Sequence, residues 1–314
     1  MFAHLLSWLR QQRIDFQENA AIGPFLYFKI GGKVRLLIIC NSLDQLTACL
    51  QKIINEKIPY LVIGGGSNIA FHDGLTRAVV LMVQGAAKKT TAARRLDCQA
   101  LQVDAGVKNQ VFLSWCVLHG VGGLEFLSGI PGTVGGAAAV NAGAFGHSMA
   151  DVLLGADIVD GHGRLRSVDA GYFAFSYRDS CFKFGNEVIL SLRLKFSRAD
   201  KTVISRKVKD NLDYRLARHP SYQHPSAGCF FKNPLLRGVK TSAGKIIEEC
   251  GLKNMTVGGL AVAAEHGNFL LNRGHASFAD LLRLESKIKA AVAARAGVEL
   301  EREVIYVSLD GEKY

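Results

Sequence analysis

The chain has 314 residues, 49% hydrophobic and 21% charged, an ordinary globular balance that argues against a disordered chain, and a length that suggests two or three domains. Lys plus Arg is 38 against 27 Asp plus Glu, a net charge of +11 that attracts anions. The basic residues are scattered rather than interleaved with aromatics, which favours phosphorylated small molecules over nucleic acid. Seven cysteines (Cys40, Cys49, Cys98, Cys116, Cys181, Cys229 and Cys250) form neither a CxxC pair nor a zinc-like Cys/His spacing, as expected for reduced thiols in a cytosol without a metal site.

In chain order, residues 1–16 read as an amphipathic helix; they lack a basic leader and a cleavage site, and no segment approaches the ~20 apolar residues that span a bilayer. "FLYFKIGGKVRLLIIC" (25–40) predicts two strands around a Gly-Gly turn. Ser42 with Gln45 forms a capping box for a helix reaching about Lys57, and Pro59 ends it. "YLVI" (60–63) is a short strand feeding "GGGSN" (64–68), and another strand follows at 78–83. The polar, basic stretch 85–100 reads as an exposed loop. A strand at 101–106 and a helix at 108–119 come next, then strands near 152–160, 164–169 and 187–196, where 188–196 alternates as a half-buried strand does. A basic linking helix covers 199–219. Pro220, Pro225 and Pro234 mark a shaped loop. A helix at 243–251 closes on Gly251. The last helix starts at Ser277 with Asp280, carries Phe278, Leu281, Leu282 and Ile288 on one side and stops at Gly297. A final strand spans 303–308, and a domain boundary falls near 196–200.

Two glycine-rich stretches stand out. "VIGGGSN" puts a glycine run directly after a strand, where backbone N–H groups can turn outward as an anion nest. It is neither a dinucleotide fingerprint, because Ile69 stands where glycine is needed, nor a P-loop. Taken alone it reads as a tight turn. "GIPGTVGGAAAVNAGAFG" (129–146) holds six glycines and suits a flat ligand lying against backbone, and "PGTVGGA" opens a short helix. Two such surfaces suggest one elongated cofactor with a phosphate end and a ring end.

The ordered set "VIGGGSN", "LEFLSGIPGTVGGAAAVNAGAFG", "FSYRDS", "PSAGCFFKNP", "AGKIIEECGLK" and "GVELEREVIYV" closely resembles the UDP-N-acetylenolpyruvoylglucosamine reductase (MurB) family, from about residue 20 to 308. The resemblance implies an α+β chain with an FAD-binding fold of the vanillyl-alcohol-oxidase (PCMH) type. The FAD region would cover 1–197, in subdomains of about 1–84 and 85–197. A substrate domain would cover 198–314, with the last strand a candidate to return to the first subdomain. It implies FAD as cofactor, NADPH as co-substrate and UDP-N-acetylglucosamine enolpyruvate as substrate, in peptidoglycan precursor synthesis. A cytosolic monomer is expected, without nucleic-acid or membrane partners.

Residue by residue, the resemblance places Gly64, Gly65, Gly66, Ser67 and Asn68 at the FAD diphosphate and Gly129, Ile130, Pro131, Gly132, Gly135, Gly136 and Asn141 along the flavin. Arg178 matches the catalytic arginine and Glu303 the catalytic glutamate. Cys229 stands at the general-acid position, which is serine in many members. Arg218, Lys232 and Asn233 lie where the family contacts UDP, and His266 and Asn268 are further candidates for the sugar pocket. No insertion near 185–200 carries the extra tyrosine loop of one subgroup, so the chain resembles the shorter form.

The implied chemistry needs these groups. Hydride addition to the enolpyruvyl CH2 builds negative charge that spreads into the carboxylate, which Arg178 can pair bidentately. Glu303 orients that carboxylate if protonated, or holds Arg178 or a water if ionised. An ordinary thiol, with pKa ~8.5, keeps its proton at neutral pH yet yields it more readily than a hydroxyl. The ammonium of Lys232 is expected to point away from it, toward phosphate, since a cation favours the thiolate. Judged singly, Cys229 reads as a packed apolar residue, Arg178 as a surface arginine and Glu303 as a solvent-facing strand residue. Other readings are a flavin-dependent oxidase of the same fold and a non-enzymatic binder of nucleotide sugars or nucleic acid.

Overall fold

The computed structural model describes residues 2–83, 93–236 and 238–314. The chain divides into two compact units, one of Met1–Glu18, Leu36–Gly65 and Ala78–Tyr214, the other of Asn19–Arg35, Gly66–Arg77 and Arg215–Tyr314.

In the first unit, helix α1 (Phe2–Gln11) buries Leu5 and Leu9, one turn apart. It stops short of the expected Phe16: Ile14 N–H donates back to Leu9 O, Arg13 adopts φ 54°, and the chain leaves as the strand Asp15–Ala21. Helix α2 (Leu43–Asn55) starts at Ser42, whose Oγ accepts from Gln45 N–H at 3.1 Å. The Gln45 side chain returns to Asn41 N–H at 2.7 Å, one residue upstream of the box position. Leu46, Cys49, Leu50 and Ile53, spaced for one helical face, are buried with Leu36, Ile38, Val79 and Leu81 of a four-stranded sheet. Its order is Asp15–Ala21, Lys33–Cys40, Leu75–Val83, Tyr60–Ile63, the last two parallel.

A five-stranded antiparallel sheet follows, ordered Leu165–Asp169, Leu153–Val159, Val188–Lys195, Ala100–Asp104, Ala93–Arg95. Val188–Lys195 is its middle strand and is buried on both faces over 188–192, so the expected half-buried alternation does not hold. The polar Ser191 is accommodated there because its hydroxyl donates to Asp157 Oδ2 at 2.8 Å and accepts from Gln102 Nε2 at 2.9 Å. Of the expected loop at 85–100, residues 85–92 lie outside the described residues, and Ala93–Arg95 is an edge strand instead. Helices α3 (Asn109–His119) and α4 (Val134–Ala139) contribute Phe112, Trp115, Cys116, Val134 and Ala138 to this sheet's core. Helix α5 (Lys201–Leu216) buries only Ile204.

In the second unit, residues 25–32 form no strand. Leu26, Phe28 and Ile30 are buried and Tyr27 and Lys29 exposed, the alternation that suggested one. Pro24, however, opens a 3-10 turn and Lys29 takes φ 57°, so no ladder forms. Helix α6 (Ala243–Glu249) and helix α7 (Phe278–Ala296) pack with the short sheet Thr256–Val257, Leu260–Val262, Leu270–Asn272 around Phe28, Phe230, Phe231 and Tyr306. The capping box Ser277/Asp280 starts α7 and Gly297, at φ 64°, ends it. Leu284 rather than Leu282 lies on its buried side; Leu282 is 40% exposed. Within that apolar stripe Glu285 is buried but satisfied by Tyr306 Oη (2.7 Å), Lys289 Nζ (3.2 Å) and Arg302 Nη1 (3.3 Å), without which a buried carboxylate would be strongly destabilising. The last strand, Ile305–Val307, runs parallel to Ile69–Phe71. Among the described residues no helix is long and apolar enough to cross a membrane, and no cluster of His, Cys, Asp or Glu could hold a metal.

Candidate active site

In the first unit, the strand Tyr60–Ile63 delivers Gly64 and Gly65 directly onto the second glycine stretch. A Cβ on Gly65 would stand 2.6 Å from Gly132 Cα, and one on Gly64 would stand 2.6 Å from Thr133 Oγ1. The two stretches that the sequence separates are therefore laid together at glycine positions, a cradle that a side chain on Gly64 or Gly65 would obstruct. Gly129 (φ 70°) and Gly132 (φ 103°) take left-handed conformations. Gly135 lies so close to Ala105 that a Cβ would meet its Cβ at 2.5 Å. Thr133 caps α4 by accepting Gly136 N–H at 3.2 Å. Ile130 O is held by Asn109 Nδ2 and Gln110 Nε2, both at 3.1 Å, which anchors Ile130 and Pro131.

Arg178 is brought to the end of this stretch. Its Nη2 donates to Gly143 O at 2.6 Å and its Nη1 to Asn141 O at 3.4 Å. Asn141 is buried; its Nδ2 donates to Ser176 O at 2.7 Å and its Oδ1 accepts from Ala150 N–H at 3.0 Å, so it ties the flavin-loop candidate to the turn carrying Arg178. Asn141 (φ 45°) and Arg178 (φ 57°) both hold left-handed backbone, a strain of order 1–3 kcal/mol each that tends to gather at functional sites. The nearly buried Lys183 donates to Arg178 O at 3.2 Å.

In the second unit, Gly66 continues the first glycine run at φ 65° and its carbonyl accepts Tyr27 N–H. Ser67 and Asn68 are half-buried. Asn68 Nδ2 donates to Glu303 O at 3.2 Å. Cys229 follows Gly228 (φ 78°), bridges to Phe269 and packs against the cluster of Ala263, Phe269 and Leu271. The next residue joins it to the other expected catalytic group: Glu303 N–H donates to Phe230 O at 2.8 Å. Glu303 itself lies in irregular backbone two residues before the last strand, half-buried, rather than on a solvent-facing strand.

The remaining candidates also belong to this unit. Lys232 Nζ pairs with Glu301 Oε1 at 2.6 Å, a counter-ion the sequence reading missed. Asn233 Oδ1 accepts Ala243 N–H at 3.0 Å, beside the Ser242 cap of α6. Arg218 is exposed just past α5. His266 Nδ1 accepts Asn268 N–H at 3.1 Å, and α6 admits the ring only because position 244 is glycine: a Cβ there would stand 2.6 Å from His266 Cε1. His219, unnoticed in the sequence, stands edge-on to His266 (5.4 Å between centroids) and 5.0 Å from Phe269. Burial, then the Arg215 and His266 charges, push the His219 imidazole down to about 4, and burial lowers His266 as well. Asn268 is buried with its amide engaged by Phe231.

Residues 34–169 match a family described as an FAD binding domain, and residues 219–307 match one described as UDP-N-acetylenolpyruvoylglucosamine reductase, C-terminal domain. The chain is 36% identical over 290 residues to the UDP-N-acetylenolpyruvoylglucosamine reductase of Chlamydia muridarum, covering 92% of this chain and 93% of that one. It is 37% identical over 283 residues to the reductase of Geobacter metallireducens, covering 88% of each. The crystal structure of UDP-N-acetylenolpyruvylglucosamine reductase from Thermus caldophilus superposes with a TM-score of 0.76 at 29% identity, over 94% of this chain and 98% of that one. Fold and cradle thus define a flavoprotein oxidoreductase with an FAD-binding domain of the PCMH type. Within that class, the chain belongs to the UDP-N-acetylenolpyruvoylglucosamine reductase (MurB) family of peptidoglycan precursor synthesis.

Proposed function

We propose that this chain reduces UDP-N-acetylglucosamine enolpyruvate to UDP-N-acetylmuramate with NADPH, and that Cys229 supplies the proton. The observation that carries the reading is the junction at Phe230, whose carbonyl holds Glu303 while its own chain neighbour is Cys229. FAD, when bound, supplies hydride chemistry between NADPH and the enolpyruvyl CH2 carbon. The close contact of Gly64–Gly65 with Gly132–Thr133, backbone against backbone at Gly65 and against the Thr133 hydroxyl at Gly64, fits such a flat, elongated group, because only a position without a Cβ can approach it that closely. Gly64, Gly65, Gly66, Ser67 and Asn68 would hold its diphosphate, and Gly129, Ile130, Pro131, Gly132, Gly135, Gly136 and Asn141 would line its ring. Residues to about 197 hold FAD in this reading and residues 198–314 bind the UDP-sugar.

Arg178 pairs with the substrate carboxylate as charge spreads into it; its fork is already aimed by Gly143 O and Asn141 O. Cys229 gives its proton to the carbon bearing that carboxylate, and water restores it. Lys232 is paired with Glu301 and reaches a UDP phosphate by exchanging that carboxylate, itself 71% exposed. Arg218, Asn233 and His266 complete the nucleotide side. The expected setting is a cytosolic monomer handling soluble nucleotides rather than nucleic acid; the seven free thiols support the reducing compartment.

Stopped-flow kinetics of the flavin colour test the acid. Cys229→Ala should still be bleached by NADPH but recolour with substrate about 10²–10⁴-fold more slowly, the usual worth of a positioned acid. Cys229→Ser should keep appreciable turnover. Recolouring of Cys229→Ala at the wild-type rate removes Cys229 from the mechanism.

A further inference from the structure

Asn268 is 2% exposed, and each of its polar groups is engaged by the protein. Its carbonyl accepts Phe230 N–H at 2.8 Å, its Oδ1 accepts Phe231 N–H at 2.8 Å, its Nδ2 donates to Phe231 O at 2.8 Å, and its N–H donates to His266 Nδ1 at 3.1 Å. The side chain thus imitates a neighbouring strand for one residue of the Cys229–Phe231 segment. Asn68 does the corresponding work for the other segment. Its Nδ2 donates to Glu303 O at 3.2 Å and its carbonyl accepts Ile305 N–H at 3.0 Å, bracketing Val304 and so fixing the chain directly after Glu303. The two brackets meet at the Glu303 N–H to Phe230 O hydrogen bond of 2.8 Å.

We infer that Asn268 and Asn68 are positioning residues that fix the proton donor Cys229 in register with the carboxylate of Glu303, and that Asn268 is not a sugar contact. This rests on the assignment of Cys229 as the acid. The two segments meet through one isolated bridge, Phe231 with Arg302, rather than a sheet ladder, and another isolated bridge, Cys229 with Phe269, ties the first segment to the Asn268 loop. Without a ladder, these asparagines set the register: the Asn268 amide matches the N–H and C=O of Phe231, while Asn68 holds Glu303 O with its amide and Ile305 N–H with its backbone carbonyl. Because the donor must approach one face of the developing carbanion, its placement decides the configuration of the new stereocentre as well as the rate.

The test uses the complete holoenzyme in D2O. Asn268→Asp retains an acceptor for Phe231 N–H and removes the donor to Phe231 O. Flavin recolouring by substrate should slow about a hundredfold relative to bleaching by NADPH, the scale of a 1 Å misplacement. The product should carry deuterium at the lactyl Cα in both configurations, a leak that simple loss of stability would not cause. If Asn268→Asp does not accumulate as folded protein, Asn68→Ala, which releases Glu303 O, is read in the same two ways. Wild-type relative rates with a single configuration in whichever folded variant is read overturn the inference. Cys229→Ala run alongside separates the two ideas. If it stalls while the asparagine variants behave as wild type, only the positioning role falls; if it turns over at the wild-type rate, the acid assignment falls and the inference with it.

Discussion

Around Gly64–Gly65 and Gly132–Gly136 the protein removes side chains so that backbone can lie against backbone, whereas around Cys229 and Glu303 it uses side-chain amides to grip backbone. The first design leaves a compositional trace, six glycines in eighteen residues. The second leaves almost none, because an asparagine that pins a distant peptide looks like any loop asparagine until the chain is folded. The contrast teaches that a cofactor surface can be read from what is missing at a position, and a catalytic register only from what is hydrogen-bonded across the fold.

The contrast can be broken at either region. The largest effect is expected at Arg178, which belongs to the glycine-rich region but acts through a side chain. Arg178→Lys offers a point charge where a planar fork is aimed by two carbonyls, and substrate reduction should fall about 10²–10³-fold with FAD still bound. Wild-type kinetics in a stopped-flow assay would show that the fork is not used. Gly65→Ala comes next. Its Cβ would meet Gly132 Cα at 2.6 Å, backbone against backbone, so the loops must part at a cost of about 1–3 kcal/mol. Purified Gly65→Ala should have lost most of its visible flavin absorbance and melt at a lower temperature. Full flavin content would mean that the close approach is not what shapes the cradle.

The smallest effect lies in the second region and concerns pH. The unfolded chain protonates His219 at its ordinary 6.5, while the folded protein does so only near 4. Between these values the unfolded state binds more protons, so stability is full above 6.5 and is lost as pH falls toward 4. The charges facing His219 are Arg215 and His266; Glu248 and Lys253 face His266, whose own lowering acts in the same direction. His219→Gln should therefore shrink, without abolishing, the drop in melting temperature across that window. An unchanged drop would place the acid sensitivity elsewhere.

Much of the fold was legible because its signals are local. The buried faces of α2 follow a three-and-four spacing, and Ser277 with Asp280 announces α7 within four residues. Residues 25–30 show where that logic fails: the alternation of Leu26, Phe28 and Ile30 correctly reports which side chains are buried, but burial does not supply a hydrogen-bonded partner, and Lys29 at φ 57° breaks the ladder. Leu282 fails differently, since Leu284 sits closer to the centre of the stripe set by Phe278, Leu281, Ile288 and Val292. Of the candidate residues, Arg178, Cys229 and Glu303 were visible only through an ordered set of motifs, and nothing in their own spacing distinguishes them from surface or core residues.

By itself the sequence determined where most helices lie and the ends marked by a cap, the two glycine surfaces and the residue types available for chemistry, because propensity, capping and the absence of a Cβ act within a few residues. The tertiary structure alone decided that Gly65 would meet Gly132, that the last strand would run beside Ile69–Phe71, and that Asn68 and Asn268 would hold peptides 235 and 37 residues away. The physical reason is that a backbone N–H or C=O is the same at every residue, so which asparagine satisfies which peptide is set by the packing that brings them together.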